Sequence, residues 1–258
     1  MENKFEILVL IILSLSSFMA KADQSQFNAE FGVHELAPDT FVVTDKTFFD
    51  SNILVARMPD NTVVIASSPF ETQGATELIE WIKAKWNPKK IVAVNTHFHG
   101  DGTGGNEAFK KAGVEIWASE LTQKIMKTYH PTFEGVPPEL LARAKKRKKV
   151  LADHTFIAHE GKEFEFGGEN VVLIYPGPAH TSDNVAVYLP RRKVLYGTCM
   201  IRAAGKSLGY IAEANLKTWA TSVSHVSNLG AQIVIPGHGP VGGPELFSYT
   251  IGLVEKAR

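Results

Sequence analysis

Cysteine occurs once in this sequence of 258 residues, at Cys199. No disulfide can form within the chain, so the fold rests on its core and on any metal it binds. An isolated thiol in an oxidising compartment is a hazard unless it is buried or occupied, and a bound metal would occupy it. Net charge is also absent: 27 Lys and Arg stand against 27 Asp and Glu. That balance argues against a nucleic-acid partner, whose phosphates select a basic surface. No apolar run approaches the ~20 residues of a membrane span. The run Ile7–Leu13, after a short polar start with Lys4, suits the core of a signal peptide, and Ala20-Lys21-Ala22 supplies the small residues of a cleavage site. The expected organisation is a leader over residues 1–22 and one domain over 23–258, exported and left without a membrane anchor.

What is present is a strand-rich half followed by alternation, twice. Thr40–Thr44, Ile53–Arg57 and Thr62–Ala66 are β-branched and aromatic, separated by polar turns, as in an antiparallel meander. Thr72–Ile82 changes to a helical period and stops before Asn87-Pro88. Ile91–Asn95 is a strand, followed by helical Gly105–Ala112, a short strand at Val114–Trp117 and helical Ser119–Lys127. The segment Tyr129–Phe156 is less regular. It holds Pro131, Pro137 and Pro138, then a charged helix over Glu139–Leu151 whose Lys145–Lys149 run reads as a solvated face. Strands at Val171–Tyr175, Val185–Leu189 and Lys193–Tyr196 precede a helix over Asn215–Leu229, a strand at Gln232–Ile235 and a helix over Gly243–Ala257. The class is α/β: two half-sandwiches in one unit, sheets inside and helices outside.

Metal-capable residues recur at one kind of position, just past the C-terminal end of an apolar strand. His97, His99 and Asp101 follow Ile91–Asn95; His180 follows Val171–Tyr175; Cys199 follows Lys193–Tyr196; His238 follows Gln232–Ile235. Loops at such strand ends are where α/β folds place function. These four imidazoles, one carboxylate and one thiol divide well between two metals. Three imidazoles leave zinc an open position for water, whose pKa falls to about 7. Thiolate, carboxylate and imidazole make a second, softer site. His34, His130, His154, His159 and His225 have no such neighbours and read as ordinary polar residues.

His97-x-His99-x-Asp101 with Gly104-Gly105-Asn106 resembles the metallo-β-lactamase superfamily. Pro176–Asn184, Leu195–Cys199 and Ile235–Gly239 resemble the class B β-lactamases in particular, and the resemblance runs from about Thr40 to the C-terminus. Cys199 stands where the glyoxalase and nuclease branches carry Asp. Gly102 stands where those branches, and the β-lactamase subclass without a Cys ligand, carry another His. His97 separates the chain from the mononuclear subclass, which has Asn there. The two-zinc, broad-spectrum subclass remains, and within it the long central segment and Leu208-Gly209-Tyr210 resemble the São Paulo type.

The resemblance implies a four-layer αβ/βα sandwich, a periplasmic monomer and hydrolysis of β-lactam rings, small-molecule substrates, on two Zn2+ ions. It assigns His97, His99 and His180 to one zinc, and Asp101, Cys199 and His238 to the other, with Asp101 also catalytic. The alternative within the superfamily is a thioester hydrolase or lactonase, against which Cys199 and Gly102 weigh. The subclass commonly grips the substrate carboxylate with Lys three residues after the Cys ligand. Here that residue is Arg202, with Lys206 as a competing cation, and Tyr210 stands where many relatives have Asn. Phe48 and Phe49, in Asp45–Asn52, either form an apolar flap over the site or join the core.

Overall fold

The structure is a computed structural model that describes residues 30–128 and 138–258. The expected leader and residues 129–137 of the central segment lie outside the described residues. Two sheets lie face to face. The first runs in sequence order, β1 (Phe31–Ala37), β2 (Thr40–Asp45), β3 (Ser51–Arg57), β4 (Thr62–Ala66), β5 (Lys90–Asn95), β6 (Glu115–Ser119) and β7 (His154–Phe156). It is antiparallel up to β4 and parallel from β4 to β7. Its helices are α1 (Thr72–Trp86), α2 (Gly100–Thr103), α3 (Asn106–Lys111), α4 (Glu120–Thr128) and α5 (Pro138–Lys146). The second sheet, ordered β12-β11-β10-β9-β8, comprises β8 (Lys162–Phe166), β9 (Glu169–Ile174), β10 (Ala186–Leu189), β11 (Val194–Tyr196) and β12 (Ile233–Ile235). Against it lie α6 (Leu216–Ser227) and α7 (Glu245–Lys256).

The strands are apolar at successive positions because both faces of each sheet are covered. In β2 to β5, Val43, Ile53, Val55, Val63, Ile65, Ile91 and Ala93 face outward, where Leu78, Ile79, Trp81 and Ile82 of α1 and Phe109 of α3 cover them. Their neighbours Val42, Leu54, Ala56, Val64, Ala66, Val92 and Val94 face inward, against Leu173, Val187, Leu189, Val194 and Tyr196 of the other sheet. A third cluster, with Trp219, Val223, Val226 and Phe247, seals the second sheet under α6 and α7. The result is the four-layer αβ/βα sandwich. Helix α1 stops because Asn87 turns left-handed (φ 43°) and its N–H caps the Lys83 carbonyl, while Pro88 bars another turn.

Three strands escape a search for apolar runs, one of them β7, a three-residue strand inside the irregular central segment. β1 is an edge strand that is partly exposed along most of its length, and β8 alternates charged residues with Phe164 and Phe166. The charged helix of the central segment is shorter than its sequence pattern, ending at Lys146 instead of Leu151. The Lys145–Lys149 run is not a uniformly solvated face either. Lys148 pairs with Glu107 at 2.9 Å, and Arg147 turns inward with its Nε shut off from solvent.

A largely buried cation ties the two halves together. Arg192, after β10, donates to both carboxylate oxygens of Glu169 in β9 at 2.7 and 2.9 Å. The same guanidinium reaches the first sheet through the Asp39 carbonyl, Thr40 Oγ1 and the Arg57 carbonyl. Removing one partner of a buried, fully bonded pair leaves the other uncompensated. Arg192→Met is expected to lower unfolding stability by about 3–5 kcal/mol, measured by urea titration. Adding Glu169→Leu should recover part of that loss, because the orphaned carboxylate is then gone.

Candidate metal centre

The centre lies at one edge of the sandwich, where β5, β9, β11 and β12 of both sheets end. His97 and His99 lie in the turn after β5, and Asp101 begins the short α2. That turn is pinned from three sides: Ser68 N–H and Ser67 Oγ donate to the Asp101 carbonyl, Thr96 O accepts from Val185 N, and the Asn95 and Asn106 amides bond each other reciprocally. His180 follows β9, in a turn closed by the Asn184 amide on Thr181. Cys199 sits in the 3-10 turn Thr198–Met200 after β11. His238, after β12, is fixed by Asn52 at the start of β3, whose amide donates to the Pro236 and Gly239 carbonyls. The His238 ring donates from Nδ1 to the Phe49 carbonyl at 3.1 Å.

The side chains converge. Asp101 is the hub: Oδ1 stands 3.4 Å from His97 Nε2, and Oδ2 stands 3.0 Å from Cys199 Sγ and 3.3 Å from His238 Nε2. His99 Nδ1 and His180 Nε2 are 3.2 Å apart, and the rings of His97, His99 and His180 lie pairwise 5.0–5.8 Å apart. Donor atoms of Asp101, Cys199 and His238 all lie within 4.8 Å of one another, as do those of His97, His99 and Asp101, and of His97, His180 and Cys199.

The donor set fits zinc. Ligand atoms at ~2.0–2.3 Å from a tetrahedral ion stand about 3.3–3.7 Å apart, close to the spacings here. His97 Nε2 is buried and has no hydrogen-bond partner among the described residues, which costs free energy unless an ion takes its lone pair. Imidazole, carboxylate and thiol are also the donor types zinc prefers.

The charges point the same way. Burial raises the Cys199 thiol pKa well above its ordinary value, and the Asp101 charge raises it further. Only a neighbouring cation would hold that group as a thiolate. Burial also drives His180 well below the usual imidazole range, helped by His99 and His97, so it stays a neutral donor. Burial opposes charge on His97 and on Asp101, but their mutual attraction outweighs it. The His97 pKa is raised, and Asp101, with His238 adding to the effect, lies well below the carboxylate range.

Glycine is required where the backbone crowds these donors. A β-carbon at Gly102 would stand 2.3 Å from the His97 carbonyl, so the position where other branches carry His has no room here. One at Gly237 would lie 2.6 Å from Cys199 Sγ.

The candidate substrate contacts are placed unevenly. Arg202 is buried, its Nε donating to the Ser207 carbonyl beneath Gly209. Lys206 is exposed and its aliphatic chain lies over Gly239, beside His238. The Tyr210 phenol donates to Glu213 Oε1 at 3.0 Å, and its ring lies 5.9 Å from that of His99. Glu213 is a residue the sequence did not single out. Its Oε2 stands 3.4 Å from His99 Nε2, the nitrogen turned away from His180, close enough to act on the ring through its charge but without a hydrogen bond between them. It lies in an irregular loop with no periodicity or motif to flag it. Asp183, fully buried, adds a second charge that favours the His97 cation.

Comparison with known proteins agrees with this geometry. The sequence profile described as the Metallo-beta-lactamase superfamily matches residues 47–238. A "Metallo-beta-lactamase type 2" of Bacillus sp. (strain 170) is 28% identical over 257 residues, covering 95% of this chain and 92% of the relative. A solved metallo-beta-lactamase from Pontibacter korlensis superposes with a TM-score of 0.73 at 30% identity, covering 87% of this chain and 99% of that one. FIM-1 from Pseudomonas aeruginosa, solved in its mono-zinc form, gives 0.73 at 28%, covering 89% and 97%. With its profile matched across the donor residues and its fold shared over nearly the whole of solved members, the chain belongs to the metallo-beta-lactamase superfamily.

Proposed function

We propose that this protein is a zinc-dependent β-lactamase that opens the β-lactam amide of penicillins, cephalosporins and carbapenems. The observation that carries the reading is the Asp101 carboxylate, which joins an imidazole set to a set containing Cys199. The relatives at 28–30% identity are named metallo-beta-lactamases. His97, His99 and His180 would hold one zinc, and Asp101, Cys199 and His238 a second. Zinc held there supplies Lewis acidity toward a carbonyl and brings the pKa of a water to about 7.

The chain's own groups supply the rest. Asp101, buried and ionised, accepts a hydrogen bond from the attacking water and aims it at the carbonyl carbon, a positioning effect worth orders of magnitude in rate. Glu213 sets a carboxylate 3.4 Å from His99 Nε2, a charge that strengthens the ring as a donor. Phe48 and Phe49 wall the site on the β2–β3 side, where Phe49 stays exposed and offers an apolar surface to a substrate side group. Of the two cations, Lys206 is the better placed for a substrate carboxylate. Arg202 is held inside by Ser207 and serves the loop instead. Tyr210, bonded to Glu213, serves that carboxylate before any substrate.

Residues 1–22 would export the protein to the periplasm, supported by the Ile7–Leu13 run and the Ala20-Lys21-Ala22 site. Among the described residues no helix is long and apolar enough to cross a membrane.

The purified protein is expected to hydrolyse a chromogenic cephalosporin, to stop in chelator and to recover on zinc addition. Failure of the zinc-loaded protein on all three drug classes would overturn the reading. Cys199→Ser should lower the bound zinc from two ions per chain towards one, counted by atomic emission; an unchanged count removes Cys199 from the site. Lys206→Ala should raise KM roughly fivefold with kcat little changed, as loss of a binding contact made equally in ground and transition states does.

A further inference from the structure

Outside the donor set, the most constrained group of side chains near the centre is an arginine pair, Arg143 on α5 and Arg147 just past its end. Arg143 donates from Nε to Glu71 Oε1 at 2.6 Å, from Nη1 to the Thr47 carbonyl at 2.9 Å and from Nη2 to Thr47 Oγ1 at 2.9 Å. Every nitrogen of its fork is therefore engaged. One partner, Glu71, caps the start of α1, and the other, Thr47, belongs to the 45–50 loop. Such charge-assisted, multidentate bonds are the strong ones.

Four residues on, Arg147 holds its guanidinium carbon 4.1 Å from the centre of the Phe70 ring. Phe48, from the loop, stacks on the same ring at 3.9 Å with the planes 10° apart. Both groups stand over the ring centre, and a ring has two faces. Phe70 is thus clasped between the loop on one side and Arg147, just past α5, on the other. Arg147 Nη1 also fills the hollow beside Gly100, 1.7 Å from where a β-carbon would stand. At its far end the loop accepts the His238 ring through the Phe49 carbonyl. Phe49 and Asp50 both have φ 53°, a left-handed conformation that persists only where the surroundings over-determine it.

We propose that α5 is a brace that fixes the 45–50 loop beside the metal centre, with Arg143 and Arg147 as positioning residues that set substrate binding and not the chemical step. The link to substrate rests on the proposed β-lactamase reading; the brace itself does not. A loop held only by its own turn opens readily, whereas one tied to a helix by two charge-assisted bonds at Thr47 and an aromatic clasp does not.

The test is amide hydrogen exchange of residues 46–52 in the zinc-loaded protein, beside steady-state kinetics on a chromogenic cephalosporin. Arg143→Met is expected to speed exchange of that segment about tenfold and to raise KM about fivefold, with kcat and zinc content within about twofold of the parent. Arg143→Lys, which keeps the charge but loses the fork, should fall between the two. Unchanged exchange in Arg143→Met overturns the brace, and this arm reads out even if the protein hydrolyses no β-lactam. Faster exchange with unchanged KM overturns the link to substrate binding. A fall in kcat that tracks loss of zinc overturns the positioning role in favour of one in holding metal.

Discussion

One carboxylate, that of Asp101, meets both imidazole and thiol donors in this structure. It touches His97 through one oxygen and Cys199 and His238 through the other, with burial on every side. A buried anion is tolerated only where positive charge or strong donors compensate it. A divalent ion held by the neutral imidazoles of His97 and His238 supplies that charge. Cys199 beside the same carboxylate makes the need sharper, because two groups that would both be anionic share one dry space. The fold must therefore deliver cationic or cation-binding partners from several strand ends to one point.

The delivery is a property of the sandwich. His97, His99 and Asp101 come from the first sheet, and His180, Cys199 and His238 from the second. Small errors in the mutual position of the sheets would spread the donors beyond the reach of one ion. The cross-sheet ties sit where they prevent this. Arg192 with Glu169 joins the sheets through a five-point network. Asn52 binds β3 to the His238 turn, and its own carbonyl accepts the Tyr196 hydroxyl from the other sheet. Burial of apolar residues between the sheets supplies cohesion without direction, whereas these polar groups fix position.

Around the metal-binding edge, the 45–50 loop, the 205–213 loop and α5 form a rim in which charge and aromatic surface alternate. Lys206 and Phe49 face solvent, while Arg143, Arg147 and Glu213 are spent on neighbours. That division separates groups free to meet a substrate from groups that shape the site.

By itself the sequence determined the α/β class, the sheet-inside arrangement and most strand and helix positions, and it pointed to six candidate donor residues, which the fold brings together. Those signals are local: periodicity marks the elements, and each donor lies just past an apolar strand in sequence. It missed β1, β7 and β8, because partly exposed strands carry polar residues and break the apolar run. It ran the charged helix past Lys146 and took the Lys145–Lys149 run as solvated, because a basic residue facing inward looks the same in sequence as one facing water. Whether Phe48 and Phe49 form a flap or join the core was likewise open, since an aromatic residue suits both. Tertiary structure decided it by stacking Phe48 on Phe70 while leaving Phe49 in solvent. It also decided that Arg202 turns inward and that Glu213 reaches His99. Contacts between residues far apart in the chain depend on how the sheets and loops come together, and no local pattern encodes that.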